Sequence, residues 1–290
     1  MIHYYGMQFT MTIEHRLVWL ILPCVLVVCV WALHRARRAR RRAALRSRPF
    51  PETWRQIIEK NMPLYARLPP GLKQQLHGHV QVFLDEKKFI GCAGLDISDE
   101  IKMTIAAQAC VLLLNRKPNY YPRLRSILVY PSTFVATRAV SKGAAVVVRR
   151  SARLGESWHR GPVVLAWDAV LGGANDVKDG HNVVLHEFAH RLDQEDGAAD
   201  GAPLLQQRSR YTTWARVLSR EYEHLQERAS KGRKTVMDRY GATQPAEFFA
   251  VATETFFEKP RQMKRKHPEL YEQLAAFYSV DPASWSKKES

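Results

Sequence analysis

The chain has 290 residues, four cysteines and a formal net charge of +16. Four cysteines in apolar segments exclude a disulfide framework and are typical of free thiols in a reducing cytoplasm. The positive charge does not indicate nucleic-acid binding, because eight arginines between Arg35 and Arg48 supply half of it and the remainder forms no basic stripe with interleaved aromatic residues. Roughly 240 residues follow the N-terminal segment, which is enough for one substantial core.

The first predicted element is a membrane-spanning helix at Leu17–Leu33, an uninterrupted apolar run. Its length is at the lower limit of about 17 residues for a transmembrane helix. Trp19 and Trp31 lie near its two ends, as aromatic side chains at a membrane interface do. Pro23 lies inside the run, and transmembrane helices tolerate proline better than soluble helices.

The arginines that follow this apolar run predict its orientation. A secretory signal would carry its positive charge before the run and a cleavage site after it. Because Arg35–Arg48 come after the run, the positive-inside rule predicts a single-pass anchor in the inner (cytoplasmic) membrane with the rest of the chain in the cytoplasm. The arginines are then expected to contact anionic lipid, and the adjacent apolar run makes a nucleic-acid arm the weaker interpretation. A start at Met7 or Met11 would keep the run.

Residues 1–49 are therefore predicted to be the membrane anchor, and residues 50–290 to form one domain. Helices are predicted at 52–61, at 71–85 and from Asp99 to Leu114, where Ser98 is the expected N-cap. Strands rich in Val, Ile and Leu are predicted at Phe89–Leu95, Ser126–Tyr130, Ala144–Arg149 and Pro162–Trp167. Helices, then strands, then further helices indicate an α+β fold with a small sheet packed against the helix described next.

Residues 186–190 read His-Glu-Phe-Ala-His, which are the residue types and the spacing of a zinc peptidase. Positions i and i+4 share one face of a helix, so His186 and His190 can bind one ion. Glu187 can take a proton from metal-bound water and pass it to a leaving amine. The apolar neighbours predict a helix buried on one side, with Asp179 as its N-cap and Gly197 just beyond its end.

A third ligand is expected from a second predicted helix, Pro245–Glu258, which carries three glutamates. Glu254 and Glu258 follow Glu247 by seven and eleven residues, close to whole helical turns, so periodicity does not choose among them. Glu258 lies beside Lys259 near the helix end, where a solvated charge is expected. Glu254 lies mid-helix and could orient a ligand histidine. Glu247 begins the apolar run and is the preferred ligand, a choice that rests mainly on the resemblance given next.

Several segments of the sequence resemble one protein family. They are Leu154–Trp158, Gly161–Trp167, Asn182–Asp193, Asp200–Gly201, Tyr240–Phe249, Pro268–Tyr271 and Phe277–Tyr278. Together they resemble the Mlc titration factor A family of zinc peptidases over most of the chain after about residue 52. The catalytic region of that family is in turn similar to the protease domain of anthrax lethal factor.

The resemblance implies a zincin-like (gluzincin) metallopeptidase with Zn²⁺ bound by His186, His190 and Glu247 and with Glu187 as general base. It implies cleavage of a peptide or protein substrate, with aminopeptidase-type activity. In lethal factor a tyrosine seven residues before the third ligand assists catalysis, and Tyr240 holds that position here. Tyr240 is thus assigned to oxyanion stabilisation, with packing against the following helix as the alternative.

The resemblance also implies a second function, in which a membrane-tethered chain sequesters a cytoplasmic transcriptional repressor of the Mlc type and hydrolysis is secondary. Intact ligands and an intact base favour the enzyme.

Gly161–Trp167 is the candidate edge strand for an extended substrate, with an ordinary interior strand as the alternative. The acidic residues after the metal helix could steer a substrate amine or orient a ligand, or form a solvated loop; they are Asp193, Glu195, Asp196 and Asp200.

Overall fold

The computed structural model describes residues 13–132 and 161–285. The predicted strand Ala144–Arg149 and the motif Leu154–Trp158 lie outside the described residues. The chain divides into two compact units, Met1–Arg48 and Pro49–Ser290.

The first unit contains a single described helix, α1 (Ile13–Arg46). Large apolar side chains on this helix are exposed; they are Leu22, Val25, Leu26, Val27, Val28, Val30, Trp31 and Leu33. Across the residues that can be described, no helix has both the length and the apolar character needed to cross a membrane. The structure therefore does not support the predicted transmembrane helix at Leu17–Leu33.

The second unit is mostly helical. Its helices are α2 (Glu52–Asn61), α3 (Pro63–Arg67), α4 (Pro70–Glu86), α5 (Asp99–Val111), α6 (Trp167–Asn175), α7 (Val183–Asp193), α8 (Tyr211–Ser230), α9 (Pro245–Glu258), α10 (Pro260–Lys266) and α11 (Pro268–Tyr278). Five of them begin with proline, whose missing N–H costs nothing in the first helical turn. Ser98 caps α5 by accepting from the Ile101 N–H, as predicted.

Three short strands form a parallel sheet in the order β1-β2-β3: β1 is Lys88–Gly91, β2 is Ser126–Tyr130 and β3 is Val163–Ala166. The predicted strand at Ser126–Tyr130 is confirmed, but the one at Phe89–Leu95 is too long. The strand ends at Gly91 because the chain turns back on itself there. A Cβ at Gly91 would lie 1.7 Å from the Leu95 carbonyl oxygen, and Ala93 and Gly94 have positive φ angles.

Helices α7 and α9 pack against each other in the centre of this unit. Leu185 and Phe188 of α7 and Phe249 and Phe256 of α9 are fully buried. Helix α7 also contacts β3, and the Arg191 guanidinium donates to the Pro162 carbonyl just before that strand. The predicted packing of the small sheet against α7 is thus observed. Helix α7 is held by α9 on one side and by β3 on another.

Candidate metal centre

Helix α7 begins at Val183, and Asn182 is its N-cap. The Asn182 side-chain oxygen accepts from the Val184 and Leu185 N–H groups at 3.1 and 3.0 Å. The prediction of Asp179 as N-cap was wrong, because the Asp179 carboxylate instead accepts from the His181 N–H in the loop before the helix. The cap satisfies two of the N–H groups that a helix start leaves without partners.

One turn of α7 brings the two histidines together. His186 and His190 lie on the same face, with 3.2 Å between their Nε2 atoms. Their side chains are 15% and 16% exposed, so water can reach the pair although the opposite face of α7 is buried in the core. The i, i+4 spacing predicted this geometry.

Glu247 is brought to the histidine pair by the packing of α9 on α7. Its Oε2 lies 3.0 Å from His186 Nε2 and 3.4 Å from His190 Nε2. One ligand atom from each of the three side chains lies within 4.8 Å of the others. Two imidazole nitrogens and one carboxylate oxygen are a donor set that suits zinc, with a further coordination position left for water or substrate.

Glu254 contacts the same histidine from the other side. Its Oε1 accepts a hydrogen bond from His186 Nδ1 at 2.7 Å. A proton held on Nδ1 leaves Nε2, the nitrogen that faces Glu247 and His190, as the one available to a metal. The carboxylate is only 5% exposed, so this hydrogen bond is shielded from water.

The charges of the cluster depend on one another. Burial lowers the pKa of His186, but hydrogen bonds to Glu247 and Glu254 outweigh it and raise that pKa to about 10. Burial alone would raise the pKa of Glu247, but hydrogen bonding with His186 and His190 holds it well below its usual range. The imidazolium of His186 thus lies between two carboxylates, with Nδ1 facing Glu254 and Nε2 facing Glu247. A metal ion bound at Nε2 would take the place of the proton on Nε2.

Glu258 has a different environment from the predicted one. It is 3% exposed, and neither carboxylate oxygen has a hydrogen-bond partner among the described residues. The prediction of a solvated charge was wrong because α9 is surrounded by protein as far as its last residue, so nearness to the helix end does not bring Glu258 to the surface. Burial, together with the charges of Glu254 and Asp179, raises the pKa of Glu258 to about 9. The nearby Asn182 side chain lowers this pKa in part, without meeting the geometry of a hydrogen bond.

The two residues assigned to catalysis lie beside the cluster. Glu187 follows His186 on α7 and is half-buried. Tyr240 lies in a short 3₁₀ turn, Arg239–Ala242, with its ring centre 6.1 Å from that of His186. Asp238 caps this turn by accepting from the Tyr240 N–H at 2.8 Å, and its other oxygen lies 3.1 Å from His181 Nδ1.

The acidic residues after α7 do not form one solvated loop. Asp193 is fully buried, and its carboxylate accepts from the Gly201 N–H at 2.9 Å. Burial raises the pKa of Asp193 to about 6. Asp196 and Asp200 are exposed and accept from backbone N–H groups two residues further along the chain. The predicted solvated loop therefore holds for these two residues and is wrong for Asp193.

The sequence alone did not predict a role for two residues near the cluster, Asn182 and Asp238. Asn182 has the residue type of an N-cap and directly precedes the apolar run, which was a usable signal. Asp238 stands two residues before Tyr240 in a segment without periodicity, and its link to His181 depends on a contact between residues far apart in the chain.

Residues 35–279 match the family model of the glucose-regulated metallo-peptidases M90. A Synechocystis sp. protein, slr2042, is 43% identical over 244 residues, which cover 83% of this chain and 89% of that protein. Mlc titration factor A of Klebsiella pneumoniae is 30% identical over 233 residues, covering 79% and 86% of the two chains. Mlc titration factor A of Yersinia pestis is 28% identical over 239 residues, covering 81% and 87%. The chain therefore belongs to the glucose-regulated metallo-peptidase M90 family, as its resemblance to the Mlc titration factor A family predicted.

Proposed function

We propose that this chain is a zinc-dependent peptidase whose metal ligands are His186, His190 and Glu247. The observation that carries the proposal is the convergence of one nitrogen from each histidine and one oxygen of Glu247 on a single point, with Glu254 holding the far side of His186. Membership of a metallopeptidase family supports it.

The reaction proposed is hydrolysis of a peptide bond by water. Bound zinc supplies a Lewis acid that makes water more acidic and polarises the scissile carbonyl. Glu187 accepts the proton of the attacking water and returns it to the nitrogen of the leaving amine. Tyr240 donates its hydroxyl proton in a hydrogen bond to the oxyanion that forms on the carbonyl oxygen.

The decisive experiment separates metal binding from hydrolysis. Glu187→Gln keeps the size of the side chain and removes the base, so it is expected to retain zinc and to lose peptide hydrolysis by at least about 100-fold. Zinc content is measured by mass spectrometry of the purified protein, and hydrolysis with a mixture of fluorogenic peptides. Unchanged turnover in Glu187→Gln would refute the mechanism.

The ligand assignment has its own test. Glu247→Ala is expected to abolish zinc binding, and Glu254→Ala to weaken it by about 10-fold to 100-fold as loss of an orienting partner does. Loss of zinc from Glu254→Ala alone would overturn the assignment of Glu247. The two variants are matched because both remove a carboxylate from α9.

Aminopeptidase-type cleavage is part of the proposal and is supported by the family resemblance. An aminopeptidase recognises the free amino terminus of its substrate, so hydrolysis of a peptide is expected to stop when that terminus is acetylated. Equal cleavage of the free and acetylated peptides would indicate an endopeptidase instead.

We also propose that α1 attaches the enzyme to the cytoplasmic face of the inner membrane. Its exposed apolar side chains and the arginines that follow them support this location. In cell fractionation the parent protein is expected with the membranes, and Leu26→Asp is expected to shift part of it to the soluble fraction. Leu204→Asp is the control, because Leu204 is also exposed but lies outside α1. A parent protein found only in the soluble fraction would refute the anchor.

A second candidate function is sequestration of a transcriptional repressor. It is supported by the relatives that bear the name Mlc titration factor A. If binding is independent of hydrolysis, the metal-free variant Glu247→Ala should retain an Mlc-type repressor in a pull-down from cytoplasm. Failure to recover any transcription factor with either the parent or this variant would argue against this function.

A further inference from the structure

Asn182 connects the start of α7 to the ligand that follows it one turn later. Its side-chain oxygen caps the helix through the Val184 and Leu185 N–H groups. Its backbone carbonyl accepts from the His186 N–H at 2.9 Å. The main chain of the first metal ligand is thus tied directly to the capping residue.

The same residue reaches two neighbouring helices. Its side-chain amide donates to the Gly173 carbonyl of α6 at 3.1 Å. Its backbone N–H donates to Oε2 of Glu254 in α9. Asn182 is 4% exposed. Its hydrogen bonds to Glu254 and to the start of α7 are buried, where the loss of a partner is most costly, and the one to Gly173 is part-buried.

Glu254 is consequently held at both oxygens. Oε2 accepts from the Asn182 backbone, and Oε1 accepts from His186 Nδ1. The contacts form a closed loop, because Asn182 and His186 are also joined to each other along α7. A carboxylate bound at one oxygen alone could rotate, whereas this one presents Oε1 to the imidazole in a single orientation.

An independent feature holds Asn182 in place. A Cβ at Gly173 would lie 2.9 Å from the His181 carbonyl oxygen and 3.0 Å from Asn182 Cα. The absence of a side chain at Gly173 therefore allows α6 to approach the backbone just before α7. This close approach gives the Asn182 amide its acceptor.

We propose that Asn182 is a positioning residue for the metal ligand His186. Its side chain, held by Gly173 and by the first turn of α7, fixes the Asn182 backbone, and that backbone in turn holds Glu254 and the His186 N–H. The inference rests on the proposed zinc site for its effect on metal affinity. Its effect on the hydrogen bond between Glu254 and His186 is present in the zinc-free protein as well.

The test compares Asn182→Ala with Ser98→Ala in the full chain. Both variants remove the N-cap of a helix, but Ser98 caps α5, which carries none of the proposed ligands. Zinc dissociation constants are measured by competition with a chromophoric chelator. Asn182→Ala is expected to weaken zinc binding by about 10-fold to 100-fold, and Ser98→Ala to leave it unchanged although both lower the Tm.

Proton NMR of the zinc-free protein supplies a readout that does not require zinc. The parent and Ser98→Ala are expected to show a downfield, slowly exchanging signal from the His186 Nδ1 proton, and Asn182→Ala to lose it. Asn182→Ser keeps a capping oxygen without the amide donor, and its zinc affinity and NMR signal should lie between those of the parent and Asn182→Ala. It also serves as the test variant if Asn182→Ala does not fold.

Parent zinc affinity and an unchanged Nδ1 signal in Asn182→Ala or Asn182→Ser would overturn the inference. A parent protein that binds no zinc would refute the proposed function, and the Nδ1 signal would still decide the role of Asn182.

Discussion

Three carboxylates on α9 have different chemical surroundings although they repeat at nearly whole helical turns. Glu247 faces two half-buried histidines, Glu254 accepts hydrogen bonds at both oxygens, and Glu258 is enclosed by the core. The surroundings, and not the spacing, decide which of them can bind a metal, orient a ligand or hold a proton.

The raised pKa of Glu258 predicts how the stability of the protein depends on pH. Its pKa is raised to about 9 from an ordinary value of 4.5, so the folded protein keeps a proton that the unfolded chain releases. Stability is therefore lost as the pH rises from about 4.5 to about 9. Glu258→Gln cannot lose this proton, and its Tm at pH 8 should exceed that of the parent by at least about 2–4 °C, the shift that ~1 kcal/mol produces in a domain of this size.

Thermal unfolding at pH 5 and at pH 8 measures this effect. At pH 5 the parent and Glu258→Gln should differ little, because the buried carboxyl is neutral in the folded state. The control is Glu272→Gln, which changes an exposed glutamate on α11. A gain in Tm that is the same at both pH values would contradict the predicted protonation.

The contacts of Asp238 predict an effect on catalysis. It caps the turn that carries Tyr240 and pairs with His181, so Asp238→Ala should let the tyrosine move without changing the three proposed ligands. We expect kcat to fall by about 10-fold to 100-fold, as small displacements of a catalytic group do, while zinc content stays unchanged.

A double-mutant cycle shows whether Asp238 acts through Tyr240. Asp238→Ala should have a much smaller effect on kcat in a Tyr240→Phe background than in the parent. Independent, multiplying effects of the two substitutions would mean that Asp238 contributes in another way.

At the scale of elements, the start of α9 is fixed by a loop that packs closely against it. Gly201 has a φ of +78°, and a Cβ there would lie 2.6 Å from the Pro245 carbonyl oxygen. Its N–H donates to Asp193, and its carbonyl accepts from the Trp214 indole. The loop therefore packs directly against the turn of α9 that contains Glu247.

Gly201→Ala should displace that turn. The added methyl group meets backbone, which cannot move aside as a flexible side chain can, so we expect a lower Tm and zinc binding weakened by about 10-fold or more. Gly232→Ala is the matched control, because Gly232 also has a positive φ but a Cβ there meets nothing within 4 Å. Equal losses of zinc affinity in the two variants would show that backbone strain alone is responsible.

Local signals predicted part of this arrangement. The N-cap at Ser98, the helix start at Pro245 and the strand at Ser126–Tyr130 follow from residue type and nearest neighbours. The burial of Glu258 and the end of β1 at Gly91 depend on what packs against them, which a single sequence does not contain. Glu247 was selected by resemblance because helical spacing alone left three glutamates equal.

At the scale of the whole molecule, the proposed ligands belong to two helices of one core. His186 and His190 lie on α7 and Glu247 lies on α9, so a bound ion would join two elements that are separated by about 50 residues of chain and that also pack against each other. An unfolded chain does not hold these three side chains together, so metal affinity should add to the stability of the fold.

Zinc should therefore raise the Tm of the second unit. At a free zinc concentration about 100 times the dissociation constant, the folded state gains about 2.7 kcal/mol, which corresponds to a shift of roughly 5–10 °C for a domain of this size. The measurement is differential scanning fluorimetry of the full chain in mild detergent, before and after removal of metal by a chelator and after addition of zinc. Glu247→Ala should show no shift, and Glu187→Gln should show the parent's shift because it keeps all three proposed ligands. A rise in Tm that persists in Glu247→Ala would place the stabilising ion elsewhere on the chain.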